Sequence, residues 1–391
     1  MRIEKEVYHH LVSLTEENIS QEEFLSFDRF MSAALYHPLY GYYAGDKAQI
    51  GKSGDFFTSV SVGKTFGHLL AHQFHEIWQQ LERPTHFHLI EQGAHNGQLM
   101  LDILTSCQEE FPEFYSVIFP LLIEPVAHFQ DKQQQMLQAI SRPIEWIQSP
   151  AERSGLTGVY YANELFDALP VTRIHQPTLG NWDELGFQLQ ENSLLPATRP
   201  IDPQHPHYAF LQNLLNSIPP LPVNTTTELR THDTPFLKSL LPLLRHGMLL
   251  LIDYGFNKTD YYHPDRMEGT FTAYQQHRRV DPFTLPFGSC DLTAHVEFSS
   301  LLATFRNHQW TPLGFADQNH FLISLATPLF PAIEADPQTP ENKAFLQHFH
   351  MLTHPGNLGS KFHFLAASPP DSPFPLQPSG FKFQNVLTHL A

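Results

Sequence analysis

The segment FHLIEQGAHNG, residues 87–97, decides the fold. An apolar run ends at Glu91, and Gly93 and Gly97 bracket a short turn before the helical pattern QLMLDIL. This order predicts a buried strand, a tight glycine turn and a helix. Such a turn often lies against a nucleotide-like cofactor, because glycine lets the backbone approach a ligand closely. Taken alone, the segment fits a plain strand–helix turn equally well.

Strand and helix patterns alternate after this segment. The strand patterns are FHLIEQG (87–93), FPLLIEP (119–125), IEWIQS (144–149), VYYANEL (159–165) and GMLLLIDYG (247–255), and helical patterns at 97–110, 126–140 and 234–245 separate most of them. The alternation predicts an α/β fold with a mostly parallel sheet and helices on both faces. Near the end, QWTPLGFADQ and HFLISLA are too close for a crossover helix, so we predict an antiparallel pair.

Other elements are predicted outside this sheet. Residues 20–35 read as a helix that begins at a capping box of Ser20 and Glu23, and residues 61–81 read as a second amphipathic helix. TRIHQ and LGFQLQ predict a hairpin within 172–190. The predicted parts are N-terminal helices with a lid loop (1–80), a core with an insertion at about 172–233 (81–335), and a helical or extended segment packed on the core (336–391).

Composition limits the class of protein. The 391 residues are 41% hydrophobic and 13% aromatic, so a large core is available. The net charge of −17, without a Lys/Arg-rich stripe, argues against nucleic-acid binding. We see no signal or transit pattern and no apolar stretch of about 18 residues, so no membrane span is predicted. The expected location is the cytoplasm for a bacterial source, or the mitochondrion without a visible transit peptide for a eukaryotic one.

Motifs for two other chemistries are incomplete. The 25 histidines include two HFH patterns, at 86–88 and 348–350, but neither has a matching set of ligands nearby, so no metal site is predicted. GDKAQIGKS resembles a phosphate-binding loop, but Gly45 precedes Gly51 by six positions instead of five.

Polar residues end three of the predicted strands. Glu91 ends the first strand, Glu124 the second, and NELFDALP places Asn163, Glu164 and Asp167 at the tip of the fourth. Ligands bind at the carboxyl ends of the strands in sheets of this kind. Glu124 is suited to accept both hydroxyls of a ribose, although an exposed strand-end carboxylate is the alternative. Five parallel strands with a terminal antiparallel pair fit a class I methyltransferase sheet better than a dinucleotide-binding dehydrogenase.

The chain resembles the MidA/NDUFAF7-type family of S-adenosylmethionine-dependent methyltransferases. The motifs that carry the resemblance run nearly end to end: HPLYGYY (37–43), SGDFFTS (53–59), the loop at 91–97, NELFDALPV (163–171), LLIDYGF (250–256), DLTAHVEF (291–298) and NLGSKFHFLA (357–366). The resemblance implies that S-adenosylmethionine is the cofactor.

The resemblance also implies a donor site. Glu91, Gly93, Ala94 and Gly97 would surround the methionine and ribose parts, Glu124 would hold the ribose hydroxyls, Ser149, Pro150 and Ala151 would lie near the adenine, Asn163 would contact the donor, and Asp55, Thr58 and Ser59 would come from the lid loop. Thr58 and Ser59 could also bind the donor's carboxylate at a helix N-terminus. Simple helix capping is the alternative for Ser59 and Ser61.

The resemblance further suggests a protein acceptor, since the mitochondrial relative is associated with arginine methylation of a complex I subunit and with assembly of that complex. A guanidinium needs carboxylates to orient it and to assist proton loss, and Glu164 and Asp167 are the candidates.

The sequence departs from the family at His95, which replaces a glycine common in the loop, and at Asn96, which leaves the loop without an acidic residue there. The alternative is a methyltransferase-fold binding or assembly factor without catalysis. The hairpin at 172–190 is a candidate contact surface for a homodimer.

Overall fold

The computed structural model describes residues 4–13, 24–44, 58–190, 193–276, 278–373 and 375–390. The helices, in chain order, are α1 (Lys5–Ser13), α2 (Phe27–Tyr36), α3 (Ser59–Val62), α4 (Thr65–Gln80), α5 (Gln98–Glu110), α6 (Pro112–Val117), α7 (Ala127–Met136), α8 (Tyr208–Leu215), α9 (Asp233–Leu240), α10 (Lys258–Tyr261), α11 (Phe298–Asn307), α12 (Gln318–Ala326), α13 (Phe330–Ala335) and α14 (Pro340–Thr353). The strands are β1 (Phe24–Ser26), β2 (Phe87–Gln92), β3 (Ile118–Ile123), β4 (Glu145–Ile147), β5 (Leu156–Asn163), β6 (Thr172–Thr178), β7 (Asn181–Gln190), β8 (Ser193–Pro200), β9 (Thr226–Leu229), β10 (Leu244–Phe256), β11 (Thr272–Gln275), β12 (Arg278–Val280), β13 (Asp291–Thr293), β14 (Val296–Glu297), β15 (Thr311–Asp317) and β16 (Phe362–Ser368).

The chain forms two compact units. The large-sheet unit comprises Phe57–Leu165, Phe236–Gly255 and Phe298–Ala391, and the small-sheet unit comprises Met1–Phe56, Phe166–Pro235 and Phe256–Glu297. The three-part division made from the sequence stays a prediction.

The large-sheet unit contains the predicted parallel sheet, in the order β15-β16-β10-β5-β2-β3-β4. The five strands β4, β3, β2, β5 and β10 are parallel to one another. β16 runs antiparallel to both β10 and β15. The predicted α/β class and the antiparallel end of the sheet are therefore confirmed.

One partner in the antiparallel pair was predicted wrongly. HFLISLA is not a strand but lies in helix α12 (Gln318–Ala326), and the strand beside β15 is β16, from FHFLAAS. The Asp317 side chain caps the helix by accepting a hydrogen bond from the His320 backbone N–H at 2.9 Å. Phe321, Leu322 and Leu325 are buried, as the face of an amphipathic helix requires.

The N-terminal helices begin and end differently from the prediction. Ser20 and Glu23, the predicted capping box, lie outside the described residues. Phe24–Ser26 forms strand β1, and the helix begins only at Phe27. The second predicted helix is interrupted at Gly63, whose φ of +145° separates α3 from α4. An added Cβ at Gly63 would lie 2.4 Å from the His348 ring, so the break also serves close packing.

The core of the large-sheet unit includes packing of α4 and α5. Phe66, Leu70 and Phe74 on α4 and Met100 and Ile103 on α5 are fully buried in one hydrophobic cluster. A Cβ added at Gly67 on α4 would lie 2.5 Å from the Asp102 Cβ on α5, so glycine at this position permits a close helix contact. Because α5 follows directly after β2, this packing fixes the helix that begins at the glycine turn.

The small-sheet unit contains the predicted hairpin, β6 and β7, which pair antiparallel. Its first sheet has the order β1-β7-β6-β9, with β8 also paired to β7, and a second sheet has the order β12-β11-β13. The part of the predicted insertion that follows the hairpin contributes strand β8 and helix α8. The hydrophobic cluster of this unit includes Ile174, Trp182, Leu211 and Tyr261.

Candidate functional site

The glycine turn after β2 has a left-handed backbone at three positions. The φ values are +77° at Gly93, +47° at His95 and +86° at Gly97. The Gly97 backbone N–H donates to the Ala94 carbonyl at 2.7 Å, and Gly97 is the residue before the first turn of α5. Glycine adopts this conformation at little cost, whereas histidine does so only occasionally. The turn therefore has the backbone of a glycine loop even where its central residue is His95.

The His95 ring packs on helix α7. Its centroid lies 5.3 Å from that of the Phe129 ring, in a tilted arrangement. The Asn96 Oδ1 accepts a hydrogen bond from the Gln98 backbone N–H at 3.2 Å, which closes the turn at the start of α5. The two residues that depart from the family pattern thus have local structural contacts of their own.

Glu91 is buried at the end of β2, with 3% of its surface exposed. The Tyr161 hydroxyl donates to its carboxyl Oε2 at 3.0 Å. Burial raises the pKa of Glu91 to about 8, the hydrogen bond from Tyr161 lowers it, and the charge of Asp102 raises it further. The carboxyl therefore faces a tyrosine in the core, and contact of Glu91 with the donor stays a prediction.

Glu124 lies just after the end of β3 and is 5% exposed. Its Oε1 accepts a hydrogen bond from the Val126 backbone N–H at 3.0 Å, and its Oε2 accepts one from the Gln133 side chain at 3.1 Å. Burial raises the pKa of Glu124 to about 7, although both hydrogen bonds lower it. A carboxylate can accept about four hydrogen bonds, so acceptor capacity is left for ribose hydroxyls.

Gln133 on α7 joins three parts of this strand edge, and the sequence reasoning missed it. Its Nε2 donates to the His95 carbonyl and to Glu124 Oε2, each at 3.1 Å, and its Oε1 accepts from the Trp146 ring N–H at 3.0 Å. The residue is fully buried. A signal was present in the sequence, because Phe129, Gln133 and Leu137 are spaced four apart, which places a polar residue on the buried face of the helix.

The fourth strand edge carries the proposed acceptor residues. The Asn163 Nδ2 donates to Glu164 Oε1 at 2.9 Å. Glu164 has a φ of +54°, which is unusual for a residue with a side chain, and its backbone N–H donates to the Ile252 carbonyl at 2.9 Å. Backbone strain of this kind is common at functional sites. Asp167 belongs to the small-sheet unit, where it is buried and its carbonyl accepts from the Ala294 backbone N–H at 3.0 Å.

An arginine fixes the chain at Phe166, the first residue of the second segment of the small-sheet unit. Arg230 is 3% exposed and makes a bidentate contact with Asp233, at 2.5 and 2.9 Å. Its other N–H groups donate to the carbonyls of Ala294 and His295, each at 3.0 Å, and to the carbonyl of Phe166. A buried guanidinium with this many acceptors is stabilised chiefly as a structural cross-link.

The predicted adenine residues form a small cap after β4. The Ser149 hydroxyl accepts from the Ala151 backbone N–H at 3.3 Å, and Glu152 Oε1 accepts from the Ser149 backbone N–H at 2.8 Å. Ser149 and Ala151 are exposed. The Glu124 backbone N–H donates to the Ile147 carbonyl at 2.9 Å, so this cap follows the strand end that contacts Glu124.

The predicted lid residues have structural partners where they are described. Thr58 caps α3 by accepting from the Ser61 backbone N–H at 3.3 Å. The Ser59 hydroxyl donates to Gln318 Oε1 at 2.8 Å and is fully buried, so it serves packing instead of the cap. Asp55 lies outside the described residues.

A family model identifies the protein family of this chain. It matches residues 69–316, more than half of the chain, and its description is "Putative S-adenosyl-L-methionine-dependent methyltransferase". The chain belongs to this methyltransferase family. The resemblance inferred from the sequence motifs is therefore confirmed, and S-adenosylmethionine is the cofactor of the family.

Relatives and solved structures agree with the membership in this methyltransferase family. The chain is 27% identical over 376 residues to "Protein arginine methyltransferase NDUFAF7 homolog, mitochondrial" of Drosophila melanogaster, covering 87% of this chain and 80% of that protein. It is 27% identical over 386 residues to the human protein arginine methyltransferase NDUFAF7, covering 87% and 79%. A Burkholderia thailandensis structure bound to S-adenosyl-homocysteine matches with a TM-score of 0.81 and 25% identity, over 97% of this chain and 96% of that one.

The described residues fit the methyl donor of this family. Among them, the Asn163 Oδ1 is a buried acceptor without a hydrogen-bond partner, and it suits the amino group of the donor's methionine part. Glu124 retains acceptor capacity for hydroxyls, as described above. Within the described ranges, no helix is long and apolar enough to cross a membrane.

Proposed function

We propose that the large-sheet unit binds S-adenosylmethionine along the carboxyl ends of β2, β3 and β5, and that the protein methylates an arginine of another protein. The observation that carries this proposal is the buried Gln133 amide, which joins the His95 loop to the Glu124 carboxylate. The arginine acceptor is supported by the relatives, which are named protein arginine methyltransferases.

Each donor-site residue has a proposed role. Glu91, Gly93, Ala94 and Gly97 surround the methionine and ribose parts of the donor. Glu124 accepts the ribose hydroxyls, Asn163 accepts from the amino group, and Ser149 and Ala151 border the adenine. Asp55, Thr58 and Ser59 belong to the lid. The donor carboxylate has no proposed partner beyond that lid segment.

Glu164 is the proposed acceptor-side carboxylate. The cofactor supplies a methyl group that its sulfonium already activates, so the protein must mainly align the attacking nitrogen and exclude water. Glu164, held by Asn163, would orient the guanidinium and accept the proton that the methylated nitrogen loses. Asp167 follows three residues later and is proposed as the second carboxylate on the sequence pattern alone.

Calorimetric titration with S-adenosylmethionine tests donor binding. We expect saturable binding by the wild type and at least about tenfold weaker binding by Glu124→Ala, since the ribose contacts involve hydrogen bonds to a charged group. Glu113→Ala is the matched control, because Glu113 forms only an exposed ion pair with Arg83. No donor binding by the folded wild type would refute the enzyme reading, and unchanged affinity in Glu124→Ala would refute the ribose role.

Transfer is tested with labelled donor and protein acceptors from the source organism, beginning with complex I subunits or their homologues. Glu164→Gln should keep donor affinity, since the Gln oxygen can still accept from Asn163, but should lose transfer because the amide cannot take a proton. Full activity in this variant would exclude the role. Donor binding without transfer to any protein of the source would favour the alternative, a binding or assembly factor.

We also propose a cellular compartment and an oligomeric state for the protein. The relatives are named as mitochondrial proteins. We propose the mitochondrion for a eukaryotic source and the cytoplasm for a bacterial one. A homodimer through the β6–β7 hairpin is proposed from its place in the insertion, and light scattering of the full chain tests it.

A further inference from the structure

Three ligand-type side chains meet between α4 and the end of α5 in the large-sheet unit. His68 and His72 lie one helical turn apart on α4, and Glu110 is the last residue of α5. The Nε2 of His68 lies 2.7 Å from Glu110 Oε1, the Nε2 of His72 lies 3.0 Å from Oε2, and the two Nε2 atoms lie 3.1 Å apart. One ligand atom from each residue thus lies within 4.8 Å of the other two.

Hydrogen bonds alone satisfy these atoms poorly. Each imidazole Nε2 must carry a proton to donate to Glu110, because an ionised carboxylate only accepts. Two protonated Nε2 atoms then face each other at 3.1 Å. If one of them loses its proton, its lone pair faces a carboxylate oxygen instead. A cation removes the conflict, since both lone pairs and the carboxylate can then point to the same centre.

The surroundings favour a positive charge at this position. Glu110 is the last residue of α5, where the helix dipole is already negative. The last turn of α5, which is fully described, contains no basic residue. Two histidines four residues apart on one helix face are a known zinc-binding arrangement.

The two histidine rings are also held by packing, and the His68 ring lies 6.0 Å from that of Phe345. Gly67, next to His68, lets α4 approach Asp102 on α5 closely. The edge of the His72 ring contacts Phe111, with the ring centroids 4.9 Å apart. The histidine positions are therefore supported by protein contacts, which lowers the entropic cost of binding an ion.

We propose that His68, His72 and Glu110 bind one divalent transition-metal ion of the zinc type. Donor atoms on a tetrahedral zinc ion lie about 3.3 Å apart, given bonds of about 2.0–2.1 Å, so only small movements are needed. The two histidines and Glu110 are partly exposed, which leaves a fourth position for water.

The role of the ion is structural. The sequence HLLAH has leucine at 69 where zinc peptidases carry their general-base glutamate. The site also lies 12 residues along α5 from Gln98, about 18 Å from the glycine turn at a rise of about 1.5 Å per residue. The ion would clamp α4 to the end of α5, and so secure the helix that begins at that turn.

Zinc titration of the untagged, metal-stripped full chain tests the proposal. We expect one saturable equivalent and a melting temperature that rises with added Zn²⁺, because an ion that binds only the folded state stabilises it. His72→Gln and Glu110→Gln should each weaken Zn²⁺ binding at least about tenfold. Glu109→Gln is the matched control, since it removes the same charge from the exposed neighbouring position, and it should bind as the wild type does.

Cobalt(II) provides a second readout that does not depend on stability. The wild type should give d–d absorption bands of a nitrogen- and oxygen-ligated site, and these bands should be lost in Glu110→Gln. His308→Gln, which removes a surface imidazole elsewhere, should leave them unchanged. Absence of a saturable Zn²⁺ equivalent, or equal affinity in wild type and Glu110→Gln, would overturn the proposal.

Discussion

Replacement of Gln133 by methionine should remove the hydrogen bonds that join the glycine turn, Glu124 and Trp146 at the edge of the sheet. Methionine has nearly the same length and volume as glutamine, so the fully buried position stays filled. The substitution removes the hydrogen bonds to the His95 carbonyl, to Glu124 Oε2 and from the Trp146 ring N–H. All three partners then lose a hydrogen bond to a buried side chain.

The expected loss can be worked out from these bonds. Two neutral hydrogen bonds contribute about 1 kcal/mol each, and the bond to an ionised carboxylate contributes about 1.5–3 kcal/mol. The free energy of unfolding should therefore fall by about 3.5–5 kcal/mol. The pKa of Glu124, raised to about 7 by burial, adds a pH signature. The loss should be smaller at pH 6, where the carboxyl is mostly protonated, than at pH 8.

Urea denaturation of Gln133→Met at pH 6 and pH 8, with Gln134→Met beside it, measures the effect. Gln134 is the adjacent residue on α7 and is exposed, so its substitution should cost less than about 0.5 kcal/mol. Affinity for S-adenosylmethionine should fall at least about tenfold in Gln133→Met, because the loop and Glu124 lose their common support. If Gln133→Met unfolds and binds the donor as Gln134→Met does, the reasoning is wrong.

Two other changes test the backbone and the charge of the same edge. His95→Ala should be less stable than His95→Gly by about 1 kcal/mol, because alanine keeps the cost of a positive φ and both variants lose the Phe129 contact. Thermal melts compare the two variants. Equal or higher stability of the alanine variant would contradict a left-handed backbone at residue 95. Burial raises the pKa of Glu91 from 4.5 to about 8, so the folded state holds an extra proton between these values and stability falls as pH rises through about 8. Glu91→Gln should flatten the decline between pH 7 and 8 in denaturation series, and an unchanged slope would exclude a neutral Glu91.

The parallel sheet was predictable because each of its strands can be recognised from a short local sequence pattern. Each of the five is a short apolar run, and the helices between them repeat at the helical period. The prediction of a strand at HFLISLA was wrong because it rested on a short apolar run. Such a run is too short to show whether its period is that of a strand or of a helix. What decided between helix and strand was the capping residue Asp317 just before it, a signal that the apolar run hides.

The small-sheet unit was only partly predictable because its pairings are distant in sequence. The β6–β7 hairpin could be read from its turn, but β1 pairs with β7 through Leu25 and Phe187, which are far apart in the chain. No local pattern specifies such a partner. The Arg230 contacts with Asp233 and the Phe166 carbonyl are similar, since nothing in the composition distinguishes a buried arginine from an exposed one.

Donor-site residues were predicted by position, and their supports were not. A strand end marks Glu124, whereas Gln133 lies on a helix whose polar composition suggests a solvated surface. Only its place between Phe129 and Leu137 indicates burial. A search for polar residues at buried helix positions would find such supports, because a buried amide must be given partners by the fold.

The central question of the glycine turn is whether His95 marks a loop that no longer binds a donor. Its φ of +47° shows that the residue with the imidazole adopts the left-handed conformation. The His95 carbonyl accepts a hydrogen bond from the Gln133 side chain, and the His95 ring contacts the Phe129 ring. A left-handed conformation costs a side-chain-bearing residue about 1–2 kcal/mol, and backbone strain of this kind is common at functional sites. The strain at His95 therefore supports the proposed donor loop, in which Phe129 and Gln133 contact the residue that stands at the glycine position.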